Sequence, residues 1–535
     1  MNSRLGLALA PLLLITAAHA QQTSCDALAK LNLPHSTILS TQQTGAGQFT
    51  PPGATADASD AAAYQHAPSF CRVVIKAEPS SDSDIRIEVW MPTEKWNGKF
   101  RGQGNGGFAG QIYYSQMALA VSQGYATAGT DTGHTNPNTD ASWALHYPEK
   151  VVDFGYRAIH EMTTSAKAVI DAYYGKAPNR SYFAACSDGG REALMEAQRF
   201  PNDYDGILAG APAYIWTNLL TSGVDKMQAL LRDRAAYVPA SKLPAINAAV
   251  LAACDAADGV KDGILNDPRT CHFEPEKLLC SGPESDSCLT QPQVATLKVL
   301  YSATLNSAGQ SIYPRGLPGA ELGPGGWSTW VLGDRSGHSL GVDYGTGYFG
   351  DMVYGDPHWD FKTFTVDSGL KAAVEKTASA LNATDPNLKP FAGHGGKLIL
   401  YHGWNDPAIS ALSTVDYYEQ VQRDNSDAQS FVRLFMVPGM QHCYGGPGPS
   451  SFGQFGWRPG TGADDSEHDL YKALEDWVER SMAPEQVIAA KIESDGKTAQ
   501  KITMTRPLCA YPKEAKYNGS GDTSDAKNFT CVEPK

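Results

Sequence analysis

From Ile85 to Trp90 the chain alternates apolar and polar side chains, Ile-Arg-Ile-Glu-Val-Trp, which is the period of a strand with one buried face. Further on the period lengthens. Ile159, Met162, Ala166, Val169 and Tyr173 recur at steps of three and four, which predicts a helix with one apolar face, and Gly175 supplies its stop. Residues 181–185 form a short apolar run that reads as a buried strand, residues 190–200 carry a helical pattern ended by Pro201, and residues 204–212 read as another buried strand. Helices and strands alternating at short connections predict an α/β fold, with a mostly parallel, doubly wound sheet covered on both faces.

Between about Tyr214 and Gly393 the rhythm gives way to turn-rich stretches such as residues 316–341. It then resumes. Residues 397–410 and 430–443 each predict a core strand that ends in a polar loop, and Leu470, Leu474, Trp477 and Val478 mark a final amphipathic helix. A single α/β domain with a large insertion explains this better than tandem domains. The expected organisation is a leader over 1–20, the first part of the α/β domain over 21–213, an inserted lid domain over 214–393, and the second part over 394–535.

Composition narrows the partners. With 42% hydrophobic and 19% charged residues the chain is globular, and 52 glycines with 33 prolines make much of it loop. A formal charge of −14, with no Lys/Arg-rich run, repels nucleic acid and acidic membrane surfaces, so the expected partner is a small molecule. The first twenty residues hold one cation, Arg4, then an apolar run over 5–15 too short to span a bilayer, and Ala18-His19-Ala20 in the pattern that precedes signal cleavage. The expectation is a secreted or periplasmic protein, in which the ten cysteines pair with one another; no C-x2-C spacing points to zinc.

Ala185-Cys186-Ser187-Asp188-Gly189, between a predicted strand and a predicted helix, fits a nucleophile elbow with Ala in the first small position. A plain turn also matches so short a string. Chain order favours the elbow, because in hydrolases of that architecture the acid and the histidine follow from loops after later strands, where Asp406 and His442 lie. Both Ser187 and His442 have a cysteine neighbour, Cys186 and Cys443. A bond between these two would set their Cα atoms roughly 4.4–6.8 Å apart, and with about 3.8 Å per peptide step would hold Ser187 and His442 within roughly 14 Å. The expected roles are Ser187 as nucleophile, His442 as base and Asp406 as its orienting acid. The backbone N–H groups of Asp188 and Gly107 are the expected oxyanion donors.

Gly102, Gly104 and Gly107 also match G-x-G-x-x-G, with Asp131 at a distance suited to a ribose contact. A lone match is weak, and a dinucleotide site would leave the two cysteine-flanked residues unexplained. In residues 254–267, Asp255, Asp258 and Asp262 sit on a short loop with Gly259 and Gly263, the hard-oxygen donors that suit calcium; the spacing is not that of an EF-hand, and a solvated acidic turn is the other reading.

Five stretches, residues 185–213, 254–264, 398–419, 434–448 and 506–522, together resemble the tannase and feruloyl esterase family, which also contains a mono(2-hydroxyethyl) terephthalate hydrolase. The resemblance implies an α/β-hydrolase fold with a lid domain, a triad of Ser187, Asp406 and His442, and a Cys186–Cys443 disulfide. It implies a structural calcium held by Asp255, Asp258 and Asp262 with the carbonyls of Val260 and Ile264, and no organic cofactor. By the same resemblance Cys25 pairs with Cys71, Cys254 with Cys271, Cys280 with Cys288, and Cys509 with Cys531. Trp330 is the expected aromatic wall for an acyl group, and Ile409 is expected to face the same pocket. The implied activity is hydrolysis of esters of aromatic acids, ferulate and other hydroxycinnamates or gallate, through an acyl-enzyme. Terephthalate monoester hydrolysis is the alternative within the family, and a non-catalytic binding protein the alternative outside it.

Overall fold

Nine strands build the main sheet of the computed structural model, which describes residues 23–52, 58–455, 464–493 and 501–534. They are β1 (Ser36–Thr44), β2 (Phe70–Ala77), β3 (Ile85–Pro92), β4 (Lys99–Gln103), β5 (Ala126–Thr130), β6 (Arg180–Cys186), β7 (Gly206–Gly210), β8 (Lys397–Gly403) and β9 (Val432–Val437). Their spatial order is β1-β2-β3-β5-β4-β6-β7-β8-β9. The contacts β1–β2, β2–β3 and β3–β5 are antiparallel and all the rest are parallel. The expected signal peptide lies outside the described residues.

Alternation along β6 shows why the sheet is covered on both faces. Phe183 and Ala185 join the core formed with helix α1 (Ala158–Tyr174) and helix α2 (Asp188–Arg199), whereas Tyr182, Ala184 and Cys186 join a second core. All five residues of the periodic set in α1 are buried, and Gly175 ends the helix in the left-handed conformation. At β3 the expected single buried face is not what forms. Only Arg86 is exposed, and Glu88 is buried, where it accepts from Arg72 Nε at 2.8 Å and from the Trp90 indole at 2.9 Å. Paired charge replaces solvent on that face.

The segment between β7 and β8 is less irregular than the sequence pattern suggests. It contains helix α3 (Trp216–Leu231) and helix α4 (Val366–Leu381), which pack together, along with shorter helices such as Leu243–Cys254. After β9, helix α5 (Leu470–Arg480) brings Leu470, Leu474 and Trp477 into the second core. Two antiparallel strand pairs that the hydrophobic pattern did not signal then close the chain, Gln486–Glu493 with Lys501–Cys509 and Glu514–Tyr517 with Phe529–Val532. All ten cysteines are paired, as Cys25–Cys71, Cys186–Cys443, Cys254–Cys271, Cys280–Cys288 and Cys509–Cys531. Among the described residues no helix is long and apolar enough to cross a membrane.

Candidate active site

Ser187 sits where β6 turns into α2, with φ 68° and ψ −122°. For a residue with a side chain this conformation costs roughly 1–3 kcal/mol, and the surrounding contacts hold it in place. Its N–H donates to the Gly210 carbonyl at 2.9 Å, and its own carbonyl accepts from Ala213 N–H at 3.1 Å. Small neighbours are obligatory here. A Cβ on Gly189 would come within 2.5 Å of Ala185 Cβ, and one on Gly190 within 2.3 Å of the Gly210 carbonyl.

β8 and β9 end beside this corner. His442, in the loop after β9, lies with Nε2 2.9 Å from Ser187 Oγ and Nδ1 2.8 Å from Asp406 Oδ2. Asp406, in the loop after β8, accepts from the N–H groups of Ala408 and Ile409 through Oδ1 at 2.8 and 3.0 Å. Burial alone would raise its carboxyl; the charge of His442, with hydrogen bonds from His402 and His442, outweighs burial and holds it well below the usual carboxylate range. The Cys186–Cys443 disulfide, with Cα atoms 6.0 Å apart, joins the two segments beside Ser187 and His442 across 257 residues of sequence.

His402 is the residue of this group that the sequence pattern missed. It is buried at the end of β8, with Nε2 3.1 Å from Asp406 Oδ2 and Nδ1 2.7 Å from the Thr414 hydroxyl. With the proton on Nε2 it donates to Asp406 and accepts from Thr414. Its position four residues before Asp406 is the only signal it left in the sequence.

Asp188 opens α2, so its N–H has no acceptor within the helix, and it lines the cavity above Ser187 together with Gly107. Gly107 has φ 63°, and a Cβ there would meet the Asn138 carbonyl at 2.5 Å and the Tyr344 hydroxyl at 2.6 Å. Two buried groups anchor this corner. Arg191 pairs with Asp188 at 2.6 Å and donates to the carbonyls of Phe154 and Gly155, and Glu192 accepts the Asn105 N–H at 2.8 Å. Burial, reinforced by the neighbouring Asp188, pushes the Glu192 carboxyl up.

The glycine pattern is explained by packing. A Cβ on Gly104 would lie 2.6 Å from Ala185 Cβ, and one on Gly102 2.3 Å from the Tyr204 hydroxyl, so these glycines let β4 approach the nucleophile strand. Asp131 is buried and accepts the N–H groups of Arg86 and Gly133 at 2.9 and 2.8 Å, which ties its carboxylate to local backbone.

The cavity above Ser187 measures about 1280 Å³ with its open mouth included, and its walls include Trp216, Leu220, Trp327, Trp330, Val342 and Ile409. Trp330 packs edge-on to the His442 ring, with centroids 4.7 Å apart, and stacks on Tyr344. Ile409 is buried in the wall while its N–H holds Asp406.

At the acidic loop, Gly259 and Gly263 adopt φ 88° and 80°. Asp255, Asp258 and Asp262 each accept a loop N–H, from Gly263, Val260 and Ile264 respectively. Asp262 also pairs with Arg506 at 2.7 Å, and the three carboxylates are not gathered within 4.8 Å of one another. Three carboxylates and the carbonyls of a tight turn make a hard-oxygen donor set.

Residues 71–532 match the sequence profile described as Tannase and feruloyl esterase. An uncharacterized esterase of Xanthomonas campestris pv. campestris is 41% identical over 97% of this chain and 93% of its own length. Feruloyl esterase B of Aspergillus niger is 33% identical over 99% of both chains. The crystal structure of feruloyl esterase B from Aspergillus oryzae superposes with a TM-score of 0.83 at 32% identity, covering 95% of this chain and 99% of that one. With a mixed sheet of the α/β-hydrolase kind beneath a serine, histidine and aspartate in hydrogen-bonded sequence, the chain belongs to the tannase and feruloyl esterase family and is a carboxylic ester hydrolase.

Proposed function

We propose that this chain is an exported serine esterase that hydrolyses esters of aromatic, phenolic acids such as ferulate and other hydroxycinnamates or gallate. The observation that carries the reading is the unbroken chain from Ser187 Oγ through His442 to Asp406, at 2.9 and 2.8 Å, on the floor of a cavity walled by tryptophans. His442 takes the proton as Ser187 attacks the ester carbonyl, and Asp406 fixes the imidazole and stabilises its charged form. The oxyanion meets the N–H groups of Asp188 and Gly107, donors typically worth about 3–4 kcal/mol each. Collapse expels the alcohol, which takes the proton back from His442, and water then cleaves the acyl-enzyme by the same route. Trp330 and Ile409 wall the acyl group, and the segment between β7 and β8 acts as the lid.

Five disulfides support export, since such bonds persist in oxidising compartments. At the acidic loop, Asp255, Asp258, Asp262 and the carbonyls of Val260 and Ile264 would hold calcium, whose contribution there is to brace the loop rather than to react. Chelation is expected to lower Tm by a few degrees and calcium to restore it, since a ligand of the folded state stabilises by mass action; a Tm indifferent to both contradicts the site. Turnover of methyl ferulate or methyl gallate, lost by at least about 10³-fold in Ser187→Ala, is the expected result for the esterase. Undiminished turnover in that variant would overturn the mechanism.

A further inference from the structure

Away from the cavity, one buried carboxylate is left without a donor. Glu196, in the last turn of α2, is 0% exposed, and among the described residues neither of its carboxylate oxygens has a hydrogen-bond partner. Its charged neighbour is Asp203, in the turn between α2 and β7; burial and that second carboxylate push the Glu196 carboxyl well up. Lys167 of α1 does not supply the missing charge, since its ammonium donates to the Asp203 backbone carbonyl. Adjacent carboxylates removed from water need something positive between them.

His160 completes the group. It stands in the first turn of α1 with Nδ1 2.6 Å from Asp203 Oδ2, and Phe200 stacks on its ring with centroids 3.8 Å apart and planes 9° off parallel. One ring nitrogen of His160 and one oxygen of each acid lie within 4.8 Å of one another. A His–Asp ion pair on a helix surface is commonplace, but it accounts for two of these three residues and leaves the buried Glu196 beside it unexplained. The side chains of His160 and Asp203 are 31% and 13% exposed, so the group opens to solvent on one side. Glu196 lies about 12 Å along α2 from Asp188, and none of the three residues lines the cavity above Ser187.

We propose that His160, Glu196 and Asp203 bind a divalent transition ion of the zinc class, with water in the fourth position, and that the ion pins the end of α2 to α1. The donor set decides the class. One imidazole nitrogen and two carboxylate oxygens suit zinc at about 2.0–2.2 Å, whereas calcium asks for about six to eight oxygens. Tetrahedral bonds of that length put ligand atoms about 3.4 Å apart, so shifts of about 1 Å bring atoms now within 4.8 Å into place. The ion takes the place of the protons that these groups otherwise hold.

The test is titration of Zn2+ into the full chain, free of added histidines and saturated with calcium, near pH 7, read by calorimetry and by Tm. One ion per chain is expected, with a Tm gain of a few degrees at about a hundredfold excess over Kd. His160→Ala removes a partly exposed ligand without opening the core, and Glu196→Gln keeps the shape of the buried side chain. Each is expected to weaken Kd at least about tenfold, the smallest loss usual even for groups one shell further from a metal. His468→Ala, at an exposed histidine paired with Asp465, is expected to leave both readouts as in the wild type. Three results overturn the site: no binding; binding unchanged in His160→Ala or in Glu196→Gln; or a Tm that ignores zinc while Glu196→Gln raises it, as for two carboxyls that share only a proton.

Discussion

At the Ser187 end of the cavity Asp406 and Asp188 have their charged partners, whereas at the far end of α3 Lys226 has none among the described residues. Asp406 accepts four hydrogen bonds, from His442, His402 and two backbone N–H groups, and Asp188 is paired with buried Arg191. Reacting groups must hold their geometry before substrate arrives, so the chain itself satisfies them. The cavity thus has a rigid, self-sufficient half built on the sheet and a second half whose charge balance is open.

The largest expected effect on this contrast comes from cutting the staple. In a Cys186→Ala/Cys443→Ala double variant the loops of Ser187 and His442 lose their covalent link, and kcat on methyl ferulate is expected to fall at least tenfold. Opening a loop of 257 residues also lowers stability by roughly 5 kcal/mol on a chain-entropy basis. Far-UV and near-UV circular dichroism at 25 °C should still report the folded sheet; wild-type kcat in the double variant would mean that the staple does not hold the geometry.

His402→Ala removes one donor to a buried carboxylate. A hydrogen bond to a charged group is worth about 1.5–3 kcal/mol, so a drop in kcat of roughly 10- to 100-fold with little change in KM is expected. Equal kcat would make His402 a packing residue only.

The smallest effect tests the open half. The folded state holds the Lys226 proton with a pKa of about 8 against an ordinary 10.5, so below pH 8 the half-buried, partly desolvated ammonium weighs against the fold. As pH rises from there toward 10.5 the unfolded chain binds more protons than the folded one, and the deficit is relieved. Lys226→Met is therefore expected to raise Tm at pH 7, with the gain shrinking from about pH 8 and gone near 10.5; a Tm unchanged at pH 7 would show the ammonium already compensated.

The same division governs what could be read from the sequence. β6, β7, β8 and β9 are buried on both faces and announce themselves as apolar runs, and the order Ser187, Asp406, His442 with two flanking cysteines exposed the candidate triad. β1 was missed because Ser36–Thr44 is mostly polar and lies at a sheet edge, where few of its side chains are buried. His402 was missed because only the end of β8 and the turn to Asp406 bring its ring to the carboxylate. Lys226 was missed because a lysine within a helical pattern normally marks the solvent face. Only the packing of α3 over Ser187 turns that side chain inward.

The most direct measurement is covalent labelling with a serine-directed organophosphonate, followed by peptide mass spectrometry and parallel assays on methyl ferulate. Loss of activity is expected to track modification of the peptide that carries Ser187, reaching one label per chain at full inactivation. Full activity with Ser187 labelled, or inactivation with the label on another residue and Ser187 unmodified, would contradict the stapled triad.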